Sequence, residues 1–386
     1  MPPVKICLDI GVAQLKKYGE ELCGDSVEIV RSQQADLVVV SDGLGSGVKA
    51  NILSRLTTKT AATMLRQGAE IGEVIDTVAR TLPIDKTINA AYSTFSILQI
   101  EKNGQLYLVE YDNPAVFIGN RNKMFTPRRE ERLIAGKKIY EYSFDVDDQD
   151  WLVLTSDGVI NAGLNGRMNV NWNWERIGSF IEDSYAEDKS ARDWAAEIAG
   201  LCNTLYGGKP GDDVTVAVVK VRHPLYLTIL IGPPQRKEDD RPVVRKLMEA
   251  PGAKVVCGGT TGEIVSRILG RKVFIDLSSV VEGVPPVGML PGIDLVTEGA
   301  VTLVQTLEHL KLNTDLKQLK DAPDGAGRLA ALLKKADRIH FMVGQAKNEA
   351  LDCHDVPAIY AYKHHVIKDM IKTLREQGKN ITEEYF

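Results

Sequence analysis

The sequence predicts an α+β layered domain built on antiparallel sheets, followed by a smaller α/β domain with a mostly parallel sheet. Three observations carry this. In the first half, strand patterns stand before, between and after helical ones, and two of them form a hairpin. After "VRHPLY" the pattern changes to strand, glycine-rich loop and helix in repetition, the rhythm of parallel βα units. A chain of 386 residues also exceeds one ordinary core. The boundary falls near His223-Pro224, giving domains 1–222 and 224–386.

The elements follow in order. Val27 to Ser32 and Asp36 to Ser41 read as short strands, and Val48 to Gln67 and Ile71 to Leu82 as helices. "YSTFSILQIEKNGQLYLVEYDNPAVFI" holds two alternating runs around Asn103-Gly104, a strong hairpin signal. "DWLVLTSDG" is a buried strand ending in Asp-Gly, Ser190 to Leu205 is helical, and "DDVTVAVVKV" closes the domain as its last strand. In the second half the βα units are "YLTILIGPP", "AKVVCGGTTGEIVSRILG", "GIDLVTEGAVTLVQTLEHL" and "DRIHFMVGQAKNEA", followed by an amphipathic helix, "YKHHVIKDMIKTLREQ".

Composition excludes several classes. A formal charge of −5 gives no basic footprint for nucleic acid and no polybasic membrane patch. No apolar run is long enough to span a bilayer, and "MPPVKICLDIGVAQ" lacks the apolar core of a signal peptide. Five scattered cysteines, with no Cys-x-x-Cys, favour reduced thiols in a cytoplasm.

The stretch "VVVSDGLGSGVKAN" (38–51) carries the chemistry. Asp-Gly alone is a good turn. The glycines run G-x-G-x-G, which matches neither the dinucleotide fingerprint nor the P-loop. But "DLVVVSDGLGSG" has an echo in "DWLVLTSDGVINAG": each is an apolar strand that delivers Ser-Asp-Gly at its carboxyl end. Two further acidic points lie at strand ends, Asp25 in "CGDS" and Asp212-Asp213 in "GDDVTVAVV". Two carboxylates about 4 Å apart repel by roughly 4 kcal/mol at an effective dielectric near 20. Gathering several therefore requires protons or cations. Oxygen-only ligands are hard, so magnesium or manganese is the expected cation. All six histidines lie at His223 or beyond, which argues against zinc in the first half.

At these residues the first 222 or so resemble the metal-dependent serine/threonine phosphatases of the protein phosphatase 2C class, in the bacterial branch of the stage II sporulation protein E phosphatase domain. "GDS" (24–26), "SDGLGSGVKAN" (41–51), "TSDGVINAG" (155–163) and "GDDVTVAVV" (211–219) carry the resemblance. It implies an αββα sandwich of two antiparallel sheets flanked by helices, with two divalent cations, manganese or magnesium, at one end. It implies that Asp42 bridges both metals, that the Gly43 carbonyl ligates one of them, that Asp25 sits on the first-metal side, directly or through water, and that Asp157 and Asp212, in preference to Asp213, hold the other. Asp42 and Asp157 are the catalytic carboxylates of this reading. A hydroxide between the metals would attack phosphorus in line, with serine or threonine alkoxide leaving. The implied substrate is a phosphorylated bacterial signalling protein, of the anti-anti-sigma type in bacterial relatives.

Two departures stand out. Residues 1–222 have no histidine for general-acid work, so that role falls to water or is dispensable. The phosphate-holding arginine of many eukaryotic members is also missing: the amino terminus offers only Lys5, and Lys49 is the candidate for phosphate, with a solvent-facing helix lysine as the equal alternative.

The second domain matches no known family on these grounds. Its strongest feature is Gly258, Gly259, Thr260, Thr261 and Gly262, between a strand and a helix, where amides and hydroxyls suit a small anion such as a nucleotide. "GPP" (232–234), "TEG" (297–299) and "VGQAKN" (343–348) should share that edge. Ordinary βα turns with threonine caps are the competing reading. "LDCHDV" (351–356) and His364-His365 read as a surface turn and a solvated helix face. For the whole chain, the phosphatase regulated through its second domain competes with a ligand-binding protein on a scaffold phosphatase domain, and with a small-molecule phosphatase.

Overall fold

Pairing along the whole of the strand at Val214–Arg222 makes "CLDIGVAQL" β1 (Cys7–Leu15), a strand absent from the expected elements. It is followed by β2 (Ser26–Arg31) and β3 (Ala35–Ser41), then α1 (Gly47–Arg66) and α2 (Ile71–Thr81). A short pair, β4 (Ile84–Asp85) and β5 (Ala90–Ala91), precedes the predicted hairpin of β6 (Phe95–Glu101) and β7 (Gln105–Tyr111). Gly104 takes φ +103 in its turn, the left-handed conformation that the Asn-Gly pair supplies. The chain continues through β8 (Phe117–Asn120), β9 (Lys123–Met124), β10 (Arg129–Ile134), β11 (Lys137–Asp145) and β12 (Asp150–Thr155). Helices α3 (Asp157–Asn161), α4 (Trp174–Ser184) and α5 (Ala191–Leu205) lead to β13 (Val214–Arg222). Asn173 caps α4 by accepting from Arg176 N, and Ser190 caps α5 by accepting from Asp193 N.

The structure, a computed structural model, describes residues 6–32, 34–81, 84–85, 90–91, 93–163, 172–280, 285–346 and 356–386. Lys5, Leu82, Lys347, Asn348 and residues 351–355 of the Asp-Cys-His run lie outside them. The chain divides into two compact units, Met1–His223 and Pro224–Phe386. Among the described residues no helix is long and apolar enough to cross a membrane.

In the first unit, one sheet has the order β1-β13-β12-β8-β9 and the other β10-β11-β7-β6-β3-β2, and their pairings are antiparallel. Alternation distributes each strand between two cores. Val38 and Val40 of β3 join Leu152 and Leu154 of β12 and Val219 of β13 in a cluster shared by both sheets. Leu37 and Val39 point the other way, onto Ala61 of α1 and Val74 and Val78 of α2. Trp151 and Val153 pack outward with Val216 and Val218 against Ile177 and Ile181 of α4 and Trp194 and Ile198 of α5. Burial on both faces explains why "DLVVVS" and "DWLVLT" are apolar almost throughout.

The second unit starts with β14 (Tyr226–Ile231), α6 (Asp240–Glu249), β15 (Ala253–Cys257) and α7 (Gly259–Leu269). Next come β16 (Phe274–Asp276), β17 (Val287–Leu290) and β18 (Ile293–Thr297), and then α8 (Ala300–Lys311), α9 (Leu316–Lys320) and α10 (Gly325–Lys335). It closes with β19 (Arg338–Val343), α11 (Val356–Glu376) and β20 (Asn380–Tyr385). The sheet order is β16-β17-β18-β15-β14-β19-β20. Pairings β14–β15, β14–β19, β15–β18 and β19–β20 are parallel, while β16–β17 and β17–β18 are antiparallel. Helices cover both faces: Ile229 and Ile231 pack with Leu303, Leu329 and Met370, and Leu230 with Val243, Leu247 and Val265.

Candidate active site

Strand register brings the acidic residues together. Ser26 at the start of β2 pairs with Ser41 at the end of β3, so Asp25 and Asp42 leave the same edge of one sheet side by side. In the other sheet Thr155 at the end of β12 pairs with Val216, and Leu15 at the end of β1 with Val214. Asp157, Asp212 and Asp213 therefore emerge next to one another. Gln14 ties the two edges: its Nε2 donates to Thr215 Oγ1 at 2.9 Å and to Asp25 O at 3.4 Å.

The first Ser-Asp-Gly is held by hydroxyls. Ser41 Oγ and Ser93 Oγ share a 2.5 Å hydrogen bond, and Asp42 N donates to Thr94 Oγ1 at 3.1 Å. Gly43 lies against α1, where an added Cβ would fall 2.1 Å from Ala50 O, so only glycine lets the loop pass there. The second Ser-Asp-Gly differs: Ser156 precedes α3, Asp157 opens it, and no loop intervenes. Ser156 Oγ accepts from Thr215 N at 2.9 Å and donates to Asp213 O at 3.4 Å, clamping this turn to β13.

The carboxylates act on one another in a row. Burial pushes the Asp42 carboxyl up to about 10, with the neighbouring charges of Asp25 and Asp157 adding to it. Burial also raises Asp25, to about 6, with Asp213 adding to it and the hydroxyls of Thr215 and Ser156 opposing. Asp212 is raised by burial and by Asp157. Asp25 is only 3% exposed, and neither of its carboxylate oxygens has a partner at hydrogen-bonding geometry. Asp157 is exposed, on the solvent side of the row.

Asp212 and Asp213 divide the work differently from a simple choice between them. Asp212 faces Asp157, and its Oδ1 accepts from Asp213 N. Asp213 is buried on the Asp25 side, where Oδ1 accepts from Lys17 N at 2.9 Å and Oδ2 has no partner. Lys17, which the motifs do not mark, also places its charge near Asp212. Lys49 sits exposed on the first turn of α1.

Among the described residues, no group of three or more His, Cys, Asp or Glu side chains is placed to hold a metal ion as it stands. The donor set still fits a hard divalent cation. It is carboxylate-rich, it carries buried oxygens without partners, and burial and neighbouring carboxylates keep Asp42 protonated for want of a counter-charge.

Residues 33–222 match the family model of stage II sporulation protein E, a segment that includes Asp42, Asp157 and Asp212 and leaves Asp25 just outside. A solved structure of the PP2C phosphatase domain and a fragment of the regulatory domain of SpoIIE from Bacillus subtilis is 20% identical. It covers 57% of this chain and 64% of that one, at a TM-score of 0.50. Another crystal form of the phosphatase domain from the same organism is also 20% identical, covering 57% and 95%, at 0.45. RsbX in complex with magnesium is 20% identical over 55% of this chain and 95% of that one, at 0.40. No curated protein matches the chain. Residues 33–222 are a domain of the stage II sporulation protein E type, with a PP2C-like phosphatase fold.

Proposed function

We propose that the chain hydrolyses phosphoserine or phosphothreonine on a bacterial signalling protein, with two divalent cations, manganese or magnesium, held by the acidic row. The observation that carries this is the elevation of Asp25, Asp42 and Asp212 by burial and by neighbouring carboxylates, with two partnerless oxygens on buried Asp25. A scaffold has no use for so much repulsion.

Asp42, acted on by both Asp25 and Asp157, is the residue suited to serve both cations. Asp25 and the Gly43 carbonyl would serve one, and Asp157 and Asp212 the other. When bound, the cations would lower the pKa of water and neutralise charge on the phosphoryl oxygens. Asp213 anchors the Lys17 backbone, and the Lys17 ammonium is better sited than Lys49 to attract a phosphate toward Asp212. With no histidine in residues 1–222, protonation of the leaving alkoxide falls to water. The three cores support an αββα layering, which keeps the row at the adjoining edges of two packed sheets. Units Met1–His223 and Pro224–Phe386 take the roles of catalytic and regulatory domains.

Phosphate release from a phosphoserine peptide, with manganese, magnesium or EDTA, tests the reading. Metal-dependent release is expected; no release with either metal overturns it. Faster release from phosphorylated metabolites than from peptides would favour the small-molecule alternative.

A further inference from the structure

Lys363 is a charge that the phosphatase reading leaves without a task. It lies in α11, half-buried, with its ammonium over the carboxyl end of β14: a Cβ on Gly232 would fall 2.4 Å from Nζ. The sheet reverses direction at this point. From β14 the chain proceeds outward through β15 and β18, then returns to β19 and β20 on the other side. In open parallel sheets such a reversal opens a crevice beyond the strand ends, where ligands bind. The two loops that meet there are bonded backbone to backbone. Gly344 N donates to Ile231 O at 2.9 Å and Ala346 N to Pro233 O at 3.1 Å.

Among the described residues, no carboxylate is paired with this ammonium. The ionisable groups that it interacts with there are Cys257 and its helix neighbour His364. That thiol is buried at the end of β15 and pushed up to about 11 by burial, so it is neutral at pH 7 and offers no counter-charge. Burial lowers Lys363 itself, the sign of an ammonium short of water.

The adjacent strand end supplies donors. Ile231 is in register with Cys257, so Gly232 and Gly258 lie side by side. Gly258 takes φ +117 and precedes α7 with no side-chain cap. Thr261 Oγ1 lies 3.0 Å from the position of a Cβ on Gly258, and it is buried without a partner in a residue 1% exposed. The threonine-cap reading of this loop therefore fails for Thr261. One acid faces the same helix start: Glu298 Oε1 would be 3.2 Å from a Cβ on Gly259. It steers a full negative charge away from α7 and toward Lys363, and it can accept from ligand hydroxyls.

We propose that the carboxyl edge of the second unit binds a small phosphate ester of the nucleoside monophosphate class. Its phosphate sits against Lys363 and the Gly232 and Gly258 loops, and its hydroxyls face Glu298. This site is independent of the acidic row.

The test uses the full chain in EDTA, titrated calorimetrically with adenosine 5′-monophosphate and, separately, with inorganic phosphate. One saturable site per chain is expected for the nucleotide, weakened at least tenfold in Lys363→Met and unchanged in Lys368→Met on the same helix. Phosphate binding as tightly as the nucleotide would overturn the assignment of the hydroxyl contacts. Absence of nucleotide binding, or equal binding by Lys363→Met, would overturn the site. A second measurement needs no variant. Acetylation of Lys363 in the wild-type chain should slow at least fivefold with saturating nucleotide while Lys368 labels as before. Unchanged labelling of Lys363 would contradict the proposal.

Discussion

Replacing Asp42 by Asn should stabilise the metal-free protein and remove its activity. In the unfolded chain this carboxyl titrates near 3.9. In the fold, burial and the charges of Asp25 and Asp157 keep it protonated through neutral pH. A carboxyl whose folded pKa is raised contributes its full stability below the ordinary carboxylate range and loses it as pH rises toward the folded value. Each pH unit above 3.9 costs the metal-free wild type about 1.4 kcal/mol, or roughly 4 kcal/mol at pH 7. Asn carries no proton to gain or lose and escapes this penalty. The advantage of Asp42→Asn should be near zero at pH 4 and about 2–4 kcal/mol at pH 7. For a domain of this size that is a melting shift on the order of 5–15 °C. Manganese should reverse the order, because it stabilises the form that binds it. Melting curves from pH 4 to 8, in EDTA and in manganese, measure all of this. A metal-free Asp42→Asn less stable than wild type at pH 7, or a gap that ignores pH, would refute the reasoning.

Three further outcomes follow from the same geometry. Asp213→Ala strands the Lys17 amide and empties a buried position, so it should destabilise by about 1–3 kcal/mol in urea as well as lower kcat, whereas Asp212→Ala should lower kcat with little change in midpoint. Gly158→Ala would place a Cβ 2.0 Å from Asp213 O, so a loss of about 1–3 kcal/mol and a lower Tm are expected; a Tm equal to wild type would mean the turn is not clamped to β13. Lys17→Met should raise KM for phosphopeptide severalfold and Lys49→Met should not; the opposite ranking would return the phosphate role to Lys49.

Much of this was legible in the sequence because register does the positioning. Two apolar strands, one in each sheet, each deliver Ser-Asp-Gly at a carboxyl end, and the pairings Thr155–Val216 and Ser26–Ser41 set the other acids beside them. The hairpin at Asn103-Gly104 and the capped helix after Ser190 announced themselves through turn and cap chemistry. β1 escaped notice because its alternation is broken by Gly11 and Ala13, and only its pairing along all of β13 makes it a strand. The roles of Asp213 and Lys17 were invisible for another reason. A buried carboxylate that anchors an amide 196 positions away is set by long-range pairing, and no local pattern encodes it. β20 likewise depends on the open side of β19.

The central claim is that the acidic row is a cation-dependent catalytic centre with Asp42 at its middle. The most direct measurement is a manganese titration of p-nitrophenyl phosphate hydrolysis by wild type and Asp42→Ala. The account predicts activity that is absent in EDTA, saturates with manganese in the wild type, and falls at least a thousandfold in the variant. Metal-independent turnover, or a variant as active as wild type, would contradict it.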